Sequence, residues 1–198
     1  IFSNMVKYLK TTLISNFGNF FAVVVALFLI PYLPMLPVQI LLLNLLTDSP
    51  MIAIALDSVD RGELRRPRTY NIKEIIMMSI VFGIISTVFD LLFFFLFFKE
   101  APSVLQTNWF IGSVITELAL IYSIRTKLPF FKATSPSKML MALSFVPASL
   151  ALVLPFTYWG EKIFKFAPPT GKHMLLILLV GVSYFITTEI FKLFYYRF

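Results

Sequence analysis

The chain has 198 residues, 59% of them apolar and only 14% charged, with a net charge of +7 and a mean hydropathy of +0.87. A water-soluble domain of this length cannot hide that much apolar surface in one core, so the composition excludes a soluble enzyme or binding module. Zero cysteines exclude disulfides and thiolate metal sites. Crossing a hydrocarbon core takes about 20 mostly apolar residues. Six stretches meet that requirement, near 12–31, 35–56, 74–98, 108–124, 139–158 and 173–194. The expected fold is all-α, a polytopic membrane bundle of six transmembrane helices.

In chain order, residues 1–11 read as a helix entering the membrane, behind an opening Ile1 that marks the chain as a piece of something longer. Span one carries Ser15, Asn16 and Asn19 with Gly18 between them, and the two asparagines lie one turn apart on one face. Pro31, Pro34 and Pro37 then punctuate a short connection, which predicts a tight turn and a close antiparallel hairpin of spans one and two. Span two holds Asn44, Thr47 and Asp48 at i, i+3 and i+4 on one helix face, followed by Pro50. Because Pro50 has no N–H to offer Leu46, a break there is expected to free backbone oxygens as further ligands. Residues 57–73 form a basic loop, and its run Arg65-Arg66-Pro67-Arg68 suits lipid headgroups or an acidic protein surface. Residues 74–198 supply the other four spans. The third is long enough to tilt, and the fourth is short.

An even number of spans puts both termini on one side. With that side cytoplasmic, Lys7, Lys10, Arg61, Arg65, Arg66, Arg68, Lys73, Arg125, Lys127, Lys132, Lys138, Lys192 and Arg197 lie inside, and only Lys99, Lys162, Lys165 and Lys172 outside. This bias makes the positive charge a mark of topology and anionic lipid contact, with no call for nucleic acid. Trp109, Tyr158 and Trp159 fall near outer span edges, the usual place for headgroup aromatics.

Ionisable groups at membrane depth cost at least a few kcal/mol and are seldom kept without a partner or a purpose. Four stand within spans: Asp48, Asp90, Glu117 and Glu189. Asp48 is the strongest candidate cation ligand, because Asn44, Thr47 and Pro50 beside it share one explanation. Asn16 and Asn19 are placed to face it, with interhelical hydrogen bonding as the plainer alternative. Glu117 suits a ligand, a proton carrier or a structural partner equally. Asp90 leans to a structural role, with coordination as the additional possibility. Glu189 pairs with Lys192 at i, i+3. His173, alone at a span edge, reads as a solvated side chain. A free-standing channel or secondary transporter with a broken-helix site, or a scaffold whose polar residues only join helices, remains an alternative.

The stretch Ser15-Asn16-Phe17-Gly18-Asn19, the proline turn, Asn44-Leu45-Leu46-Thr47-Asp48 and Arg65-Arg66-Pro67-Arg68 together resemble the carboxy-terminal membrane region of P-type cation-transporting ATPases, most of all the magnesium-transporting branch. The likeness continues through Phe89-Asp90, Asn108-Trp109-Phe110-Ile111, Arg125-Thr126 and Phe194-Tyr195-Tyr196-Arg197-Phe198. It implies that the six spans are the fifth to tenth helices of a ten-helix pump, with 1–11 as the end of the stalk, 12–56 as the ion-binding hairpin and 74–198 as a support region. It further implies that Asn16, Asn19, Asn44, Thr47, Asp48 and Glu117 bind the cation. Asn19 stands where calcium pumps have a glutamate, which favours magnesium over two calcium ions, whereas Thr47 and Glu117 depart from the best-known magnesium pumps. The actuator, phosphorylation and nucleotide-binding domains, where ATP and its Mg2+ act, would belong to the same parent chain, so the fragment alone is expected not to hydrolyse ATP. The implied location is the plasma (cell inner) membrane with cytoplasmic termini.

Overall fold

The computed structural model describes residues 2–60 and 72–197. Among them are seven α-helices: α1 (Phe2–Leu29), α2 (Pro37–Ala53), α3 (Ile72–Phe97), α4 (Pro102–Ile124), α5 (Lys138–Val153), α6 (Tyr158–Phe164) and α7 (Gly171–Arg197). All but the short α6 belong to six segments long and apolar enough to cross a membrane, so the six-span, all-α expectation agrees with the architecture. The basic run Arg65-Arg66-Pro67-Arg68 lies outside the described residues.

Local chemistry sets the helix starts. Pro37 and Pro102 occupy first turns, where a missing N–H costs nothing. Ahead of α2, the Gln39 side chain turns back to accept the Leu36 N–H at 2.9 Å. Ser137 caps α5 by accepting the Leu140 N–H at 3.1 Å, and Thr157 caps α6 through the Gly160 N–H at 3.0 Å. At the far end of α6, Lys165 adopts a left-handed conformation with φ 57°. Side chains with a Cβ resist that region, so Lys165→Gly is expected to stabilise the protein by roughly 0.5–1 kcal/mol, read as a higher thermal midpoint in detergent. A lower midpoint would assign Lys165 a contact that outweighs its backbone strain.

Helix α4 is the centre of the bundle. Its polar residues Gln106, Thr107, Asn108, Ser113, Thr116, Glu117 and Ser123 are all buried, because neighbouring helices rather than lipid surround it. This extends the fourth span outward from the predicted 108 to Pro102. The Gln106 amide donates to the Leu33 carbonyl at 2.8 Å, and the Thr107 hydroxyl accepts the Ala167 N–H at 2.9 Å, so α4 also ties the outer connections together. By contrast Phe28, Phe95 and Leu178 are exposed, as lipid-facing side chains would be. The close hairpin expected of spans one and two is not formed along their length. Instead α1 packs along α3 and touches α2 little. Small residues permit this approach: a Cβ on Gly18 would stand 2.7 Å from Ser86 Cβ, and one on Gly83 would stand 3.1 Å from Phe17 Cβ.

A buried polar network holds the end of the bundle where α2 stops. The Arg125 guanidinium donates through Nε to Asp57 Oδ2 at 2.7 Å and through Nη1 to the Thr134 carbonyl at 2.8 Å. The second Asp57 oxygen accepts the Ser137 N–H at 2.8 Å, while the Asn4 amide on α1 donates to the Asp57 carbonyl at 2.7 Å. Burial raises the affinity of Asp60 for a proton, but hydrogen bonds from Thr126 and Thr134, with the charge of Lys7, outweigh it and hold this carboxyl below its usual range. Residues 2–11 and span one form one continuous helix, tied near its start to the segment beyond α2.

Candidate cation site

Three helices bring the candidate residues together. Midway along α1, Ser15, Asn16 and Asn19 project on adjoining faces; on α2, Thr47 is buried whereas Asn44 and Asp48 are exposed. Glu117 comes from α4 and is 6% exposed. The Asn19 amide donates to Glu117 Oε1 at 2.8 Å, with the Ser15 and Thr47 hydroxyls as neutral neighbours of that carboxyl. The Thr47 hydroxyl proton goes to the Leu43 carbonyl at 3.0 Å, an ordinary bond for a helical threonine. Among the described residues, the charged neighbours of Glu117 are acids, Asp48 and Asp90.

Beside this cluster, α1, α2 and α4 line a half-open cavity of about 230 Å³. Asn16, Asn19 and Asn44 supply its polar lining, so the structure brings Asn19, Thr47 and Glu117 into one cluster and places Asn16 and Asn44 on the adjoining wall. Asn16, Asn44 and Asp48 are exposed on the described helices. Amide, hydroxyl and carboxylate oxygens are the donors that hard cations take. Among the described residues no group of three or more His, Asp or Glu side chains is placed to hold a metal.

Three expectations change at this level. Helix α2 does not break at Pro50: it continues to Ala53 and only then tightens into a 3-10 turn over Ile54–Leu56. The Leu46 carbonyl that Pro50 leaves without an N–H instead accepts the Ser49 hydroxyl at 3.2 Å, a substitute donor one residue away. Asp90 has the hydrogen-bonded place favoured for it, its Oδ1 accepting the Trp109 indole N–H at 2.8 Å. Trp109 accordingly is not a headgroup aromatic but is 2% exposed. His173 is not freely solvated either, since it sits edge-on to Phe97 and 3.6 Å from Glu100. Sequence reasoning left out Ser15 as a neighbour of Glu117, although its place one residue before Asn16 was the available signal. It also missed Trp109, for which nothing along the chain pointed to Asp90.

Comparison with known proteins shows the family. Residues 32–194 match the family described as cation transporting ATPase, C-terminus. A magnesium-transporting ATPase, P-type 1, of Salmonella typhimurium is 35% identical over 204 residues, covering 99% of this chain and 22% of that protein. The Escherichia coli K12 protein of the same name is 33% identical over 203 residues with the same coverage. A calcium-transporting ATPase of Bacillus subtilis is 26% identical over 198 residues, or 94% of this chain. The chain thus spans about a fifth of the length of these relatives, 22% in each case. A match of this extent sets aside the free-standing channel or secondary transporter, and this integral membrane chain belongs to the carboxy-terminal region of the cation-transporting ATPase family.

Proposed function

We propose that this chain forms the ion pathway of an ATP-driven P-type pump for magnesium, with Asn16, Asn19, Asn44, Thr47, Asp48 and Glu117 as the cation-binding set. The observation that carries the reading is Glu117, a buried carboxyl on the central helix whose hydrogen-bond partner Asn19 and neighbours Ser15 and Thr47 are neutral. A cation is the counter-charge such a group calls for at membrane depth. Two carboxyls among neutral amides suit a single hard cation that keeps part of its water, as magnesium does. The names of the relatives favour magnesium over the other hard cations.

The exposed row of Asn16, Asn44 and Asp48 is unsuited to lipid, and further helices of the parent chain would cover it. The parent's actuator, phosphorylation and nucleotide-binding domains would bind ATP with its Mg2+ and form an aspartyl phosphate. Residues 1–11 would act as the end of the stalk, passing their movement to α1 and, through Asn4 and the Asp57–Arg125 pair, to α2. The basic residues orient the termini to the cytoplasm of a plasma (cell inner) membrane.

Asn16→Ala in the full-length parent tests the lining. The magnesium concentration for half-maximal transport is expected to rise roughly three- to tenfold, about 0.6–1.4 kcal/mol, with little change in maximal rate. An unchanged half-activation would leave Asn16 as cavity wall only.

A further inference from the structure

The cavity reaches well beyond the donors that line its inner part. Asn16, Asn19 and Asn44 mark the polar layer, whereas Val23, Ile40 and Met35 line it farther along α1, α2 and the connection between them. Met35 belongs to that connection, so the cavity runs from the polar layer to the end of the bundle where α1 and α2 are joined. On the positive-inside reading this end is extracytoplasmic.

One wall of the cavity is Trp109 of α4. Its indole is held from behind: Phe94 meets it edge-on with ring centroids 4.7 Å apart, and Asp90 Oδ1 takes its N–H at 2.8 Å. Phe94 and Asp90 both come from α3. Asp90 is itself 5% exposed and does not line the cavity. The indole has one donor, and with that donor on Asp90 the ring cannot turn without leaving both a buried N–H and a buried carboxyl unsatisfied. A carboxyl in the hydrocarbon layer is expensive, and its position behind a wall residue gives that expense a purpose.

We propose that this cavity is the passage by which the cation moves between the polar layer and the side of the membrane where α1 and α2 join, and that Asp90 is a positioning residue which fixes the Trp109 indole as its wall. The proposal rests on the pump reading and adds the route and the side chain that fixes its wall. Asp90 acts here through its acceptor oxygen rather than through its charge. A carbonyl of the same shape therefore serves equally well.

The test uses the full-length parent with any reactive native cysteines removed. Val23→Cys and Ile40→Cys are treated with a membrane-impermeant cationic thiol reagent from the side of the α1–α2 connection, with Phe95→Cys, on the exposed apolar face, as control. The first two are expected to react, more slowly when magnesium is saturating, and the control is expected not to react. In the Val23→Cys background, Asp90→Asn should keep the wild-type rate, whereas Asp90→Leu should change it roughly tenfold, as leaving a buried donor unpaired would do. No reaction at Val23→Cys and Ile40→Cys would mean that another helix of the parent fills the space, and the passage would be wrong. Equal effects of Asp90→Asn and Asp90→Leu would assign Asp90 a role through its charge and overturn the positioning role. Cation-stimulated ATP hydrolysis is measured on each protein: its loss in the parent itself, with labelling intact, would sink the pump reading alone, and its presence without labelling would sink the passage alone.

Discussion

Glu117→Gln is expected to raise the magnesium concentration for half-maximal transport roughly ten- to a hundredfold, about 1.4–2.7 kcal/mol, while the protein still folds and inserts. The separation of effects follows from the contact it makes. Asn19 donates to Glu117 Oε1, and a glutamine carbonyl accepts the same hydrogen bond, so the α1–α4 contact persists while the charge is lost. Glu117→Leu removes both, leaving the Asn19 amide without its buried acceptor, and is expected to lower the thermal midpoint as well. Titrating transport and measuring thermal unfolding on the two variants separates ligand from spacer. If glutamine matches wild type in half-activation, Glu117 is a helix-joining residue and the site contracts to the exposed row on α1 and α2.

The second large effect is steric. Gly18→Leu is expected to destabilise the bundle by about 1–3 kcal/mol or more, because even its Cβ would stand 2.7 Å from Ser86 Cβ where α1 lies against α3. Relief requires α1 to move away, and Asn19, the next residue, is the one that reaches Glu117. Transport should therefore weaken together with thermal stability. Gly18→Ala is milder, and adding Ser86→Gly should recover part of its loss by restoring the space, although the Ser86–Tyr184 hydrogen bond at 2.7 Å is then forfeited. Absence of any recovery in the double variant would show that the close approach at Ser86 is not what limits the site.

The parts of this structure that could be read from the chain are those set by one-dimensional properties. Span number follows from apolar length, so the six spans were legible, whereas the helical period that groups Asn44, Thr47 and Asp48 did not tell that only Thr47 would be buried. What could not be read depends on which helices become neighbours. Asn19 and Glu117 were each identifiable as polar residues at membrane depth, but they lie 98 positions apart, and no local pattern encodes their contact. Trp109 was misplaced for a related reason: an aromatic near a span edge normally meets headgroups, and only the neighbouring Asp90 on α3 makes burial of its N–H affordable. Pro50 is a third case. The missing N–H is certain from the sequence, but whether the Leu46 carbonyl becomes a ligand or is taken up depends on a rotamer of Ser49. Likewise Arg125 entered the reading as a topology marker, and its burial against Asp57 needed the segment beyond α2 and the α4–α5 connection to converge.

The central claim is that the α1, α2 and α4 oxygens bind the transported cation, and magnesium uptake into vesicles holding the purified full-length parent tests it most directly. ATP and its cofactor magnesium are held fixed on the cytoplasmic side while magnesium, calcium, sodium or potassium is varied on the other, for wild type and Asp48→Asn. Magnesium-selective, ATP-dependent uptake that Asp48→Asn abolishes, with membrane insertion unchanged, is the predicted result. Uptake by Asp48→Asn equal to that of wild type would contradict the claim and place the cation elsewhere in the pump.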